Sequence, residues 1–396
     1  MRAVALIAVA LIACKGKEPA PAPKPKPVDA GVKPDAASAA WPHPLAEFPL
    51  VEPVRVIGLP AKVGTPRFDV GGPVIVGDVA VVSSSQFGFA AADWRRGQLV
   101  WTKPAGDHVA PPVAKAGSAI LIGDCVNPPD VPDGERLLGC VRVVTASGAD
   151  ESYAAIHGKA DVKAFAAEPG PQKLWLDGDR AVRWRRGDQA VRVDLITGVA
   201  KPASIDPPPV HVVYKDHAWE ISQAAENRLV AREHGKIAWQ TRRPYTALVG
   251  AVYLAEQAPM VRAFNIGVLA GIAELNLFDI DATGSLHGQV AFPVPTIGAL
   301  GYAINEVGDT AIALRMDATL HHDFIAGYAA NALLIYVYPL PEVPRADPVG
   351  VAVAPDAVIA FHDGDTITIL PELSAPPTAP GAPKRPDPAS SQIPTP

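Results

Sequence analysis

Cysteine is scarce. The chain of 396 residues has three, Cys14, Cys125 and Cys140. No Cys-x-x-Cys and no His-x-x-x-His lies near them, which argues against a metal site, and there is no Cys-x-x-Cys-His for haem attachment. Charge is also sparse. Charged residues make up 19% of the chain and the net charge is −6. A nucleic-acid binder would carry a basic face or stripe, so that class is excluded. After the N-terminus no apolar run reaches the roughly 18 residues that a spanning helix needs. Ile266 to Ala273 and Ala329 to Val337 are too short and read as buried strands. Gly-x-Ser-x-Gly elbows and phosphate loops are absent as well, and ten histidines are too scattered to assemble a Ser/His/Asp set by spacing.

What the chain has in quantity is turn formers, 43 prolines and 33 glycines, alongside a hydrophobic fraction of 48%. That balance favours turn-rich β structure over helices and is ample for a core. The organising stretch is Val74 to Trp101. Val74-Ile75-Val76 stops at the hairpin pair Gly77-Asp78, Val79 to Ser83 returns, Phe87 to Ala92 forms a third strand, and Arg95-Arg96-Gly97 turns into Leu99-Val100-Trp101. Strands this short cannot bury both faces alone, so the unit must stack on copies of itself.

The copies are present. Gly97-Gln98-Leu99-Val100-Trp101 recurs as Gly235-Lys236-Ile237-Ala238-Trp239, and weaker turns end at Gly148, Gly198 and Gly284. The steps between these glycines are 51, 50, 37 and 49 residues. A period near 50 with strand-turn-strand content marks propeller blades. Glycine belongs in such turns because they need positive φ, and tryptophan because a flat side chain can dock one blade on the next. Gly97, Trp101, Gly235 and Trp239 are therefore the candidate blade-docking residues. The expected fold is all-β, a single propeller of seven or eight four-stranded blades. Seven are placed at about 70–104, 113–157, 173–203, 211–242, 247–293, 297–341 and 349–373, with Pro53 to Leu59 supplying the strand that closes the ring.

The N-terminus reads as an address. Met1-Arg2 is followed by the apolar run Ala3 to Ala13, the layout of a secretory signal. Leu11-Ile12-Ala13-Cys14 resembles the lipobox of bacterial lipoproteins. The resemblance implies removal of residues 1–13 and acylation (palmitate) at Cys14; the alternative is an ordinary signal with a chance cysteine. Lys15 rather than Asp after the cysteine implies outer-membrane retention on the periplasmic face, with surface exposure left open. Residues 14–47 then form a Pro/Ala/Lys-rich tether without hydrophobic period, able to reach about 100 Å. The propeller spans 48–374, and 375–396 is a second Pro/Ala/Ser-rich segment that reads as disordered.

The strand-Gly-Asp-strand pattern with the turn Asp93, Gly97, Trp101 resembles the PQQ-like β-propeller repeat. An anchor followed by one propeller is similar in layout to the propeller lipoproteins of the outer-membrane β-barrel assembly machinery. This resemblance covers about residues 50–373 and speaks for the fold, which hosts both enzymes and scaffolds. The lipobox, the tether, the repeat turns and the missing catalytic signatures together lead to the expectation of a non-catalytic scaffold, a monomer whose partners are envelope or outer-membrane proteins. The fold also raises a quinoprotein enzyme. Those enzymes use adjacent cysteines and often a haem attachment sequence, both lacking here, so no cofactor and no catalytic residues are assigned and a hydrolase is equally disfavoured.

Cys125 and Cys140 flank a proline-rich turn loop at two strand edges. In an oxidising compartment such a pair reads as a disulfide pinning a loop insertion in blade two, against two buried thiols. Asp279 to Gly284 resembles a calcium loop but has Val290 where the bidentate glutamate belongs, so it reads as a hairpin turn. His321-His322-Asp323 would not converge on a metal, because adjacent strand side chains point to opposite faces. Arg183, Arg185, Arg186 and Arg192 around Trp184 read as a solvated turn rather than an anion site. A small-molecule or glycan site at the channel mouth would need Trp94, Trp175, Trp184 and Trp219 to cluster there.

Overall fold

The structure is a computed structural model. It describes residues 48–60, 71–106, 108–127, 129–168, 170–214, 217–224, 228–240, 249–255, 258–269, 272–281, 283–292, 298–315, 323–331, 333–341 and 349–373. Cys14, the signal, the tether and the final segment lie outside these residues, as do His321 and His322.

Among the described residues the strands form seven four-stranded antiparallel sheets, the blades of one β-propeller. Blade one is Gly71–Val76, Val79–Ser84, Gly88–Asp93 and Gln98–Lys103; blade two is Val113–Lys115, Ser118–Gly123, Arg136–Thr145 and Asp150–Gly158. Blade three is Gln172–Leu176, Ala181–Arg186, Gln189–Asp194 and Ala200–Pro202; blade four is Val210–Tyr214, His217–Ala224, Arg228–Glu233 and Lys236–Gln240. Blade five is Val249–Ala255, Ala258–Leu269, Ile272–Asp281 and Leu286–Phe292; blade six is Gly298–Ile304, Thr310–Arg315, Asp323–Tyr328 and Leu334–Pro339. Blade seven is Gly350–Ala354, Ala357–His362 and Thr366–Leu370, completed by Arg55–Gly58 from the N-terminal side. That last strand pairs Arg55 with Ile369 and Gly58 with Thr366, so the ring is closed by sequence-distant strands.

First strands line the centre and approach each other closely. A Cβ on Gly71 would lie 2.5 Å from Pro111 Cα of the segment entering blade two, and one on Gly350 of blade seven would overlap the Gly72 carbonyl of blade one. Middle strands are buried on both faces: Val79–Ser84, Gly88–Asp93, Ala357–His362 and Asp323–Tyr328 have no exposed residue. They read as continuous apolar runs rather than alternating ones because each is sandwiched between neighbouring blades.

The core accordingly sits between blades. One cluster joins Ile359, Phe361 and Ile367 of blade seven to Ala80, Val82 and Trp94 of blade one, and includes Ile57 and Leu59 from the closing strand and its end. Another joins Val81 and Phe89 of blade one to Ala119 and Leu121 of blade two. A third joins Ile120, Ile122 and Ile156 of blade two to Val182, Trp184 and Val193 of blade three. Trp219 and Ile221 of blade four meet Val261 and Ile280 of blade five, and Ile325 and Tyr336 of blade six meet Val351 and Val358 of blade seven.

Three features differ from the sequence reading. Ile266 to Ala273 is not one strand: it spans the end of Ala258–Leu269 and the start of Ile272–Asp281, which pair with each other through Leu269 and Ile272. Between blades two and three the chain forms a 3-10 turn, Ala160–Val162, and a short helix, Lys163–Ala167, where the repeat pattern predicts only a connection. Val162 and Phe165 turn inward, and Phe165 meets Trp184 edge to face at 4.8 Å. Ala329 to Val337 is not one strand: the strand begins at Leu334, and before it the Ala329 amide donates to the Leu333 carbonyl at 2.9 Å.

Candidate functional surface: the seams between blades

The turn from third to fourth strand is the working part of the repeat. In blade one, Asp93 accepts from the Arg96 amide at 2.9 Å through its carboxylate, and the Gly97 amide donates to the Asp93 carbonyl at 2.8 Å. In blade three the Asp194 carboxylate accepts from the amides of Ile196 and Thr197, at 3.0 and 2.9 Å, and from the Thr197 hydroxyl. These bonds to the ionised form, led by the Thr197 amide, hold Asp194 below the usual carboxylate range although burial opposes them. Asp281 of blade five does the same for Thr283 and Ser285. Asp279 to Gly284 is thus a hairpin turn: Asp281 caps it, and Asp279 is held by Arg262 through two bonds of 2.8 and 3.0 Å.

The glycine and tryptophan of one motif do not meet each other. Trp101 reaches forward to the turn of blade two, where its indole N–H donates to the Ala146 carbonyl at 3.0 Å. Gly148 (φ 89°) lies under the ring, and a Cβ there would stand 2.7 Å from Trp101 Cδ1. Trp239 of blade four lies in the same way on Gly284 of blade five, with 2.7 Å from a Gly284 Cβ to Trp239 Cγ. Gly97 receives a different side chain, Arg55, at 2.9 Å from such a Cβ. Gly235 receives none within 4 Å; it stands in the two-residue turn His234-Gly235, with φ 50° and 75°.

Two further seam residues carry no motif. His157 of blade two sits between the Glu135 carboxylate and the Thr197 carbonyl of blade three, while its own amide donates to the Gly198 carbonyl at 3.1 Å. Arg262 of blade five is 1% exposed. Besides Asp279 it donates to three groups of blade six: the Gly308 carbonyl at 2.6 Å, the Thr310 hydroxyl at 2.9 Å and the Ala330 carbonyl at 2.6 Å. A charge at a strand position was the one available signal for it.

Cys125 and Cys140 form a disulfide. It ties the loop leaving Ser118–Gly123 to the strand Arg136–Thr145, so blade two does carry an insertion pinned in place. The arginines near Trp184 are engaged locally: Arg183 and Arg192 share Asp177 at 3.2 and 3.4 Å, Arg185 bonds the Gly187 carbonyl at 2.6 Å, and Arg186 lies 4.9 Å over the Trp184 ring. Trp94, Trp175, Trp184 and Trp219 do not gather at one mouth. Trp94 is buried between blades seven and one, Trp184 between two and three, Trp219 between four and five, and half-buried Trp175 stands on the first strand of blade three. Asp323 is fully buried and held by Arg315 at 2.9 and 3.1 Å.

No protein-family model matches the chain, and no curated protein matches it in sequence. Solved structures do. BamB from Moraxella catarrhalis is similar over 81% of this chain and 100% of its own, with 13% identity and a TM-score of 0.39. The computationally designed Ika8 protein matches over 80% and 98%, with 11% identity and a TM-score of 0.45. The WD40 β-propeller domain of Doa1 matches over 82% and 96%, with 12% identity and a TM-score of 0.44. These are likenesses of fold.

Proposed function

We propose that this chain is a lipid-anchored β-propeller of the cell envelope, held to the outer membrane through Cys14 and facing the periplasm, where it acts as a non-catalytic docking platform for envelope proteins. What carries the reading is the setting of the three cysteines. Cys14 ends an apolar run in a lipobox-like tetrapeptide, and Cys125 and Cys140 are joined in a bond that persists in oxidising compartments. Acyl chains contribute about 0.8 kcal/mol per buried CH₂, and two signals anchor stably. The PQQ-like character of the repeat belongs to the same reading, as does a monomeric ring with its loops open to partners.

The test is labelling with a palmitate analogue in cells, with fractionation, for the wild type and Cys14→Ser. Label and outer-membrane recovery in the wild type, both lost in the variant, are expected. A wild type that takes no label and stays soluble would overturn the anchor. In-cell crosslinking with mass spectrometry then reads the partners: recovery of barrel proteins or their assembly factors supports the platform, and recovery of abundant neighbours alone counts against it.

A further inference from the structure

Three seams share one device. A side-chain N–H of one blade is donated to a carbonyl inside the third-to-fourth-strand turn of the next. Trp101 gives its indole N–H to Ala146, Arg262 gives a guanidinium N–H to Ala330, and Arg55 gives one to Trp94 at 3.3 Å. Arg55 therefore does on Gly97 and Trp94 what Trp101 does on Gly148 and Ala146. It occupies the matching place, the outer strand of the preceding blade, but that strand comes from the N-terminal side of the chain.

The same segment also serves blade six. Blade seven takes its outer strand, Arg55–Gly58, from the N-terminal side, so no hairpin turn joins its third strand to its fourth. Just before that strand, the Val337 amide of blade six donates to the Pro49 carbonyl at 2.9 Å and the Val51 amide donates to the Val337 carbonyl at 3.2 Å. Ile57 and Leu59, each 7% exposed, then enter the core shared by blades seven and one. A stretch of about a dozen residues thus touches three consecutive blades on either side of ring closure.

We propose that residues 48–60 are a latch with Arg55 as its catch: the strap holds blade six, completes blade seven and engages blade one, so that a load on the chain before residue 48 is delivered to the two seams that close the ring. Arg55 is exposed and lays a thin methylene stem on Gly97, whereas Trp101 packs a whole ring on Gly148. The latch accordingly yields before the docked seams do. Lipidation is not needed for this inference, and its test does not depend on it.

The test is hydrogen exchange by mass spectrometry on the full chain, comparing the wild type, Arg55→Ala, Arg55→Trp and Trp101→Ala. Arg55→Ala should speed exchange about tenfold in Arg55–Gly58 and Thr366–Leu370 and leave blades two to four unchanged. Arg55→Trp should slow those amides below the wild-type rate, because an indole is the group that fits over a turn glycine. Trp101→Ala should loosen blades one and two and spare the latch. Wild-type exchange in Arg55→Ala, or a rise spread equally over all blades, would overturn the latch. An Arg55→Trp protein no better protected than Arg55→Ala would overturn the equivalence of the two docking groups.

Discussion

A glycine and a tryptophan 47 positions apart in the chain, Gly148 and Trp101, make a single contact. Trp101 is half-buried, so Trp101→Ala should cost about 2 kcal/mol, less than the 3–5 typical of a fully buried ring. Gly148→Ala should cost a similar ~2 kcal/mol for another reason: φ of 89° is strained for an L residue and the new methyl would strike the indole. The double variant should lose less than the two singles together, since alanine at 148 meets no ring once Trp101 is gone. Chemical denaturation of the four proteins measures this coupling; strict additivity would mean the two residues act independently. Trp101 and Gly148 are each visible in the sequence as members of a repeat, but their pairing is not. It crosses from one blade to the next, and neither strand nor helix period reports contacts between repeats.

Asp194 makes a second prediction at this scale. Its folded pKa is lowered, chiefly by the Thr197 amide, with burial opposing. Asp356 is lowered too: burial pushes it up, but bonds from Arg95 at 2.7 Å and the Trp94 indole at 3.1 Å outweigh that. A carboxylate with a depressed folded pKa adds stability that is complete above its unfolded value, about 3.9, and is lost as pH falls through the folded value. Stability should therefore drop as pH is taken from 5 to below about 4. Asp194→Asn should be weaker at neutral pH yet show a shallower acid slope. An unchanged slope in a denaturation series from pH 3 to 7 would show that the turn carboxylate does not carry the effect.

Strands and loops tell a mixed story. The seven blades were legible because β-branched runs, glycine turns and a period near 50 agree with one another, and the closing strand because Pro53 to Leu59 is the one strand-like segment left over. The helix Lys163–Ala167 was not, since five residues give no period to read and its reason for existing is a tertiary slot beside Trp184. The residues before Leu334 hid as a strand because they are mostly alanine, with Asn331 capping the Leu333 amide at 3.1 Å. The disulfide loop was legible from spacing. Reducing it should cost about 3 kcal/mol for a 15-residue loop in the chain-entropy account. Cys125→Ser with Cys140→Ser should match the reduced wild type in thermal denaturation, and protein isolated from an oxidising compartment should show no free thiol from this pair. Arg262 was the element-scale surprise. Arg262→Met would take the guanidinium bonds from Asp279 and from three blade-six acceptors, of which the Gly308 carbonyl keeps the Thr310 hydroxyl, and should cost about 3–5 kcal/mol.

For the whole molecule, the placement of the core decides how it unfolds. Solenoids add repeats with nearest-neighbour terms and can lose them one at a time. Here, among the described residues, five apolar clusters each draw on two blades, and blades one and seven, at the two ends of the repeat, share one of them. Removing blade one, two or seven would expose two clusters at once, and the closing strand makes the first and last parts of the chain depend on each other. Loss of one of these blades should therefore carry its neighbours with it. Urea unfolding followed by far-UV circular dichroism, which sees every blade, and by tryptophan fluorescence, which sees chiefly blades one, three and four, should give coincident transitions. Trp101→Ala should move both curves together. If fluorescence from blades three and four survives a transition already complete by circular dichroism, the blades are separable units and the seams are weaker than their contacts indicate.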